Sequence, residues 1–325
     1  MTDASMTSPT VQARRPVRRA NSILHRRWWG NPVGYLFVGP GVLLYLLFSV
    51  YPIIRGLIMA FQDYRFLRPA TRNPFNSFNG LENWIEMVHD DTFWHSLRVA
   101  LTFTLTALPL NMLLGLSCAV LIASIPNRFA ETVTRVIAYL PVILPISVAM
   151  LIWGMLYEPS VGYFSYFVTK IIPIWETSPR WLGFDWALPS TIVAWVWKQF
   201  GFHTLLFLIG IYGIPRSLYE AASIDGASAW GRFRYVTLPS LRPIFTLVIV
   251  LSAGIVSATE QMLILTGGGP AEETLTTGLY SYLHAFTTVY SDMRMGYAAA
   301  MNLVLGLVHM IVAGIVFKGV GTERA

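Results

Sequence analysis

The chain has 325 residues, of which 54% are apolar and 12% charged, and its mean hydropathy is +0.54. Soluble domains carry about 25% charged residues, so half that share leaves too little polar surface for a water-exposed globule; disorder, a coiled coil and an ordinary soluble enzyme are excluded. The net charge of +6 would suit a nucleic-acid partner, but its placement along the chain points elsewhere, and the single cysteine, Cys118, excludes an internal disulfide and any multi-cysteine metal site.

In chain order, residues 1–30 hold Arg14, Arg15, Arg18, Arg19, Arg26 and Arg27 and read as a basic tail. Paired arginines can open an export signal, yet no small-residue cleavage site follows the first apolar run, which is also too long for a signal-peptide core. Residues 31–325 read as one membrane domain. Six stretches, residues 35–60, 97–123, 136–156, 188–214, 243–266 and 295–317, are long and apolar enough to cross a bilayer. Backbone groups in lipid must be satisfied within the segment, so these are expected to be helices and the fold class all-α and polytopic.

The basic residues set the orientation. Arg128 and Arg135 separate spans two and three, Arg216, Arg232, Arg234 and Arg242 separate four and five, and Lys318 and Arg324 follow span six. These, with the tail, make one side cytoplasmic and place both termini there. The opposite segments hold most of the acids, among them Glu86, Asp90, Glu272 and Asp292. In the first outer loop, Leu81, Trp84, Ile85 and Val88 fall on one helical face and predict a helix lying flat at the interface. The second outer loop carries Trp175, Trp181 and Trp186, read as interfacial anchors. Pro40, Pro52, Pro109, Pro141 and Pro145 lie within spans, where each removes a hydrogen bond and favours a kink.

The loop between spans four and five, residues 216–242, is the most informative stretch. Residues 218–225 favour a short helix, Gly226 can take the left-handed position that stops it, and Ser228 can cap a second helix running to about Val236, which Pro239 ends. A loop that only reverses the chain needs a few flexible residues. A rigid knob with small Ala221, Ala222 and Gly226 suits docking against another protein.

Polar groups inside spans are costly and face a cavity or one another. Lys198, Gln199 and His203 lie in span four, Ser257, Glu260 and Gln261 in span five, and Asn302 in span six. With Trp195, Trp197 and Phe202 as aromatic faces, they are either the lining of a pathway for a hydroxyl-rich ligand or interhelical glue, including a Lys198–Glu260 ion pair. Lys198 with His203 also allows a cationic pocket for an acidic solute such as a uronate oligosaccharide. Asn111 and His309 read as structural. The alternative function is a proton-coupled secondary transporter using Glu260, His203 and Lys198. No paired-histidine metal motif or nucleophile elbow supports an intramembrane enzyme.

The spacing Glu220-Ala221-Ala222, three residues, Gly226, nine residues, Val236, one residue, Leu238-Pro239 resembles the cytoplasmic signature of binding-protein-dependent ABC importer permeases. Further pieces resemble the sugar-type branch, specifically its maltose-type first permease subunit: Tyr51-Pro52 with Phe61-Gln62-Asp63-Tyr64, Asn79-Gly80-Leu81-Glu82-Asn83-Trp84, Leu265-Thr266-Gly267-Gly268-Gly269-Pro270 and Gly296-Tyr297-Ala298-Ala299-Ala300. The resemblance covers about residues 35–317. It implies a type I importer fold with a cytoplasmic coupling helix, a second homologous permease subunit, two ATP-binding cassette ATPases and an extracytoplasmic solute-binding protein that delivers a sugar or oligosaccharide. It also implies roles: Glu220 as a polar contact to the ATPase, Ala221 and Ala222 as the close-packing face, Gly226 as the turn, and Asp225, Leu238 and Pro239 as parts of the knob. The chain has no phosphate-cradling glycine-rich loop with a following Lys and Ser/Thr. It is therefore expected to be a transport subunit without a cofactor of its own, ATP and magnesium belonging to the ATPases.

Overall fold

The computed structural model describes residues 32–68, 77–171, 176–252, 254, 257–290 and 292–321. The basic tail and Trp175 lie outside them. The chain divides into two compact units, Met1–Arg55 and Gly56–Ala325. Among the described residues the structure is helical, apart from isolated antiparallel bridges joining Gln62 to Phe78 and Arg65 to Arg294.

Helix α1, Tyr35–Met59, begins in the first unit and is long and apolar enough to span a bilayer. Leu36, Phe37 and Phe48 are exposed, as suits a helix surrounded by lipid. A π turn at Leu46–Val50 stands just before Pro52, whose missing N–H leaves the Phe48 carbonyl without its usual donor.

The second unit contains α2 (Glu82–Val88), α3 (Asp91–Ala123), α4 (Arg128–Ile143), α5 (Ile146–Leu156), α6 (Tyr163–Tyr166) and α7 (Ala187–Tyr212). It continues with α8 (Arg216–Ile224), α9 (Ala229–Ser240), α10 (Arg242–Ser252), α11 (Thr259–Leu265), α12 (Thr277–Phe286) and α13 (Met295–Gly321). Helices α3 and α7 form the most extensive pair and, with α11, α12 and α13, bury Phe103, Trp195, Met262, Leu279, Tyr297 and Met301 in one cluster. A second cluster, Leu116, Phe207, Leu208, Leu241 and Val248, lies at the ends of α3, α7 and α10 nearest the 216–242 loop.

Among the described residues three helices, α1, α3 and α7, are individually long and apolar enough to cross a membrane, and up to five spans result if each bent pair counts as one. The all-helical polytopic fold stands, and two of the six apolar stretches are bent or interrupted. Residues 136–156 are broken: α4 and α5 meet at 95° across Leu144–Pro145. Leu144 is extended (φ −65°, ψ 136°), as the residue before a proline is driven to be, and the helix stops there. Pro109, by contrast, sits inside the unbroken 33 residues of α3. Residues 243–266 are also discontinuous, ending as α10 at Ser252 and resuming as α11 after Ala258, which is left-handed at φ 42°. The Ser257 hydroxyl donates to the Gly254 carbonyl at 3.0 Å, a local bond that competes with the helix ladder. The Thr276 hydroxyl, at the start of α12, donates to the Ser257 carbonyl at 2.9 Å and satisfies the break.

Three of the motifs read as outer loops converge on one node. Asn83 Nδ2 donates to the carbonyls of Ala60 and Gln62, at 3.1 and 2.9 Å, tying α2 to the Phe61-Gln62-Asp63-Tyr64 stretch. Gly296 N donates to Tyr64 O at 3.1 Å, and a Cβ at Gly296 would stand 2.0 Å from Gln62 O, so only glycine permits this approach. Asp90 caps α3 by accepting from Phe93 N, and its Oδ2 accepts from the hydroxyls of Tyr280 and Tyr297 at 2.8 and 2.6 Å. Arg294 forms a bidentate pair with Glu86, both bonds 2.5 Å, and lies over the Tyr297 ring. Arg68 and Asp292 pair at 2.5 Å beside it.

Helix α2 forms as expected, burying Asn83 and Met87 against the fold and leaving Leu81, Ile85 and Val88 uncovered by protein. One outer-loop expectation is corrected. Trp181 is no surface anchor. It is buried among Trp153, Tyr157, Phe164 and Leu265, and its Nε1 donates to Ser165 Oγ at 2.9 Å. Trp186, at the start of α7, is stacked edge-on against Trp181.

Candidate functional site

Two sites follow from the sequence: the 216–242 knob and the intramembrane polar residues. In the knob, α8 ends in a Schellman closure, with Ala227 N donating to Ala222 O at 2.9 Å and Gly226 N to Ser223 O at 3.1 Å. Gly226 takes φ +78°, a left-handed value that costs an L-residue about 1–2 kcal/mol. Ser228 caps α9, its Oγ accepting from Gly231 N at 3.2 Å. The two arms are tied by Tyr219 Oη to Thr237 Oγ1 at 2.9 Å and by Arg232 Nη1, which donates to Ser223 Oγ at 3.2 Å.

Asp225 is the C-cap residue of α8 with an exposed side chain, as a part of the knob. One detail differs from expectation. Pro239 does not end the second helix: α9 passes through a π turn at Phe233–Thr237 and carries Pro239 in its final turn, Leu238–Ser240. The break comes at Leu241, where α9 and α10 meet at 58°. Phe233 and Leu238 pack into the cluster of Leu116, Phe207 and Leu241, while Glu220, Ala221 and Pro239 are exposed and Ala222 and Leu238 half-buried. The outward surface also shows Ile224, Trp230 and Tyr235, each more than two-thirds exposed at 87%, 68% and 77%. On the inner side, Tyr212 at the end of α7 donates to Glu131 of α4 at 2.5 Å, so the helices behind the knob are themselves bonded together.

The intramembrane residues separate into two groups. Gln199, Phe202, His203, Ser257, Glu260 and Gln261 line one pocket of about 410 Å³, together with Trp195, Ser252 and Thr259. That volume falls within the about 300–1,000 Å³ of small-molecule sites. The pocket lies where α10 and α11 are discontinuous, and residues from both sides of that break line it together with residues of α7. His203 is held from both sides, Nδ1 lying 2.8 Å from Asn111 Oδ1 and Nε2 2.9 Å from Ser252 Oγ. Asn111 thus serves as a structural partner.

Lys198 and Asn302 do not line this pocket. Lys198 Nζ donates to Val142 O, 3.1 Å away in the last turn of α4, and so takes no part in an ion pair with Glu260. Asn302 Nδ2 donates to Ser281 Oγ at 2.6 Å and Ala298 O at 3.1 Å and joins α13 to α12. Trp197 packs with Trp153 in a different cluster. Lys198, His203 and Glu260 therefore form no continuous chain of proton-bearing groups. Among the described residues no cluster of His, Cys, Asp or Glu is suited to hold a metal ion. Sequence reasoning missed Ser252 and Thr259, whose hydroxyls are ordinary in a helix and gain a role only through the break.

The family model for "Binding-protein-dependent transport system inner membrane component" matches residues 111–321, which include the whole knob and the pocket. The chain belongs to this family. Members are transport components of membranes and not enzymes, and the proton-coupled alternative is set aside. Among relatives, the chain is 35% identical over 301 residues to a probable ABC transporter permease, YesP of Bacillus subtilis, covering 89% of this chain and 90% of that protein. It is 32% identical over 253 residues to the trehalose/maltose transport system permease MalF of Thermococcus litoralis, covering 77% and 82%. Among solved structures, a chain of a bacterial ABC transporter that imports the acidic polysaccharide alginate has the same fold, with a TM-score of 0.73 at 22% identity over 90% of this chain and 96% of that one.

Proposed function

We propose that this permease forms one half of a saccharide pathway across a bacterial inner membrane, with a second homologous permease as the other half. Two ATP-binding cassette subunits, which hold the ATP and magnesium, dock on residues 216–242, and an extracytoplasmic solute-binding protein delivers the substrate. Both termini lie in the cytoplasm, where the basic loop residues place them.

The observation that carries this reading is the knob. It is closed at Gly226, capped at Ser228, cross-braced by Tyr219 and Thr237, and nevertheless directs Ile224, Trp230 and Tyr235 away from the bundle. Such a rigid projection moves as a body when the ATPases close, and Phe233 and Leu238 hand that displacement to the cluster at the ends of α3, α7 and α10. The pocket, with two aromatic faces and several hydroxyl and amide groups, matches what a hydroxyl-rich ligand needs. The sugar named for the MalF relative supports the same class.

The test is affinity purification from native membranes in mild detergent, with Glu220→Lys and Gly226→Val beside the wild type. A nucleotide-binding ATPase and a second permease should accompany the wild type, and the ATPase alone should be lost from the variants. Recovery of the chain without an ATPase, under conditions that preserve a known importer, overturns the reading.

A further inference from the structure

The pocket carries a charge that sorts its ligands. We propose that Glu260 makes this permease selective for uncharged saccharides over acidic ones, an inference that rests on the saccharide-import reading and deepens it. Among the described residues lining the pocket, the only carboxylate is that of Glu260, and none is Lys or Arg. His203 is the one other ionisable group there, and its two ring nitrogens are already engaged by Asn111 and Ser252.

The natural counter-charge to a uronate is Lys198, next to Gln199 in sequence, and the fold has given it different work. The α4 break at Leu144–Pro145 leaves the last carbonyls of α4 without the donors that a continuing helix would supply. Lys198 crosses from α7 and donates to one of them, Val142 O. A lysine at a helix C-terminus also complements the negative end of the helix dipole. Turning its ammonium into the pocket would strand that carbonyl away from water, an unfavourable exchange. Lys198 is therefore a positioning residue for the broken span, and the pocket keeps a net negative character.

A carboxylate among hydroxyl and amide groups accepts hydrogen bonds from sugar hydroxyls, while Trp195 and Phe202 offer faces to the apolar side of a pyranose ring. A ligand bearing its own carboxylate meets Glu260 as a like charge where a neutral saccharide brings hydrogen-bond donors.

Saturation-transfer difference NMR on the purified importer complex in nanodiscs tests this without the binding protein's own selectivity. The probes are neutral di- to tetrasaccharides of glucose, galactose and N-acetylglucosamine, each beside its singly carboxylated counterpart. Neutral probes should bind about tenfold or more tightly than their acidic partners, the worth of one hydrogen bond to a charged group. Glu260→Gln should bring that ratio to within about twofold, since the same charged acceptor is then neutral. Lys198→Met should leave the ratio unchanged and weaken both classes alike. Retention of the ATPase and the second permease by each variant shows that it has folded. Acidic probes bound as well as neutral ones, or lost selectively in Lys198→Met, overturn the proposal, and so does the absence of transfer from every saccharide. Failure of the importer reading shows separately, as a wild-type preparation that contains no ATPase.

Discussion

The node around Asp90 and the 216–242 knob are both built from short helices and loops, yet they use their polar and apolar groups in opposite ways. The node turns inward: the Asp90 carboxylate serves one helix cap and two phenols, Glu86 is held by both arms of Arg294, and Tyr297 and Met87 are buried. The knob turns outward, with a few local bonds to set its shape and Ile224, Trp230 and Tyr235 left exposed. A region that satisfies itself is part of the scaffold, and one that is stiff but unsatisfied awaits a partner. The contrast is testable, because damage to the node should cost stability and damage to the knob should cost coupling.

The largest stability loss should come from Asp90→Ala. It removes the α3 cap and leaves the Tyr280 and Tyr297 hydroxyls without their acceptor in a buried setting. Charge-assisted bonds contribute about 1.5–3 kcal/mol each and a cap about 1 kcal/mol, and a marked fall in melting temperature in detergent should follow. Next is a pH effect in the same node. Burial, reinforced by the Arg294 charge and opposed by Asp90 and Glu86, pushes His284 down to about 4 from its ordinary 6.5. A folded-state value below the unfolded one means that the unfolded chain takes up the proton first, so stability is full above about pH 6.5 and falls as the pH drops toward 4. The loss reaches at most about 3 kcal/mol. Melting temperature measured from pH 7.5 to 4.5 should show this slope, and His284→Gln should flatten it. Gly296→Ala should cost about 1–3 kcal/mol, since the new Cβ meets the Gln62 carbonyl 2.0 Å away.

How much of this contrast was legible in the sequence differs by region. The knob was nearly all there, because its geometry is local: Gly226 and Ser228 act within a few residues of themselves, and their stop and cap signals fall where the chain needs them. Only the passage through Pro239 escaped, since a proline that ends one helix and one that opens a turn look alike in sequence. The node was legible as motifs and illegible as a site. Asn83, Gln62 and Gly296 stood in three separate stretches, and nothing in any of them says that an amide will meet two carbonyls or that a glycine will face one. The intramembrane polar residues were found as a set, but their sorting depended on the breaks at Pro145 and near Ser257. Composition reports that a span is apolar and does not report where it bends, so Lys198 has the look of a pocket residue in sequence although the Val142 carbonyl claims it in the fold.

The knob supplies the smallest stability effect and the sharpest test of the contrast. Trp230 is 68% exposed and touches Phe233 within its own helix, with ring centroids 5.4 Å apart. Trp230→Ala therefore removes no buried contact across the fold, and the melting temperature of the permease purified alone should shift by no more than about 0.5 kcal/mol equivalent. If the exposed ring is an anchor for the ATPase, its loss from the assembled complex should cost about 2 kcal/mol or more of association, the range of an aromatic hot spot. Co-purification of the ATPase and ATP-driven uptake should then fall together while the fold is unmoved. The converse pattern, a destabilised permease that still retains its ATPase, would place Trp230 with the node as scaffold and erase the difference between the two faces of the molecule.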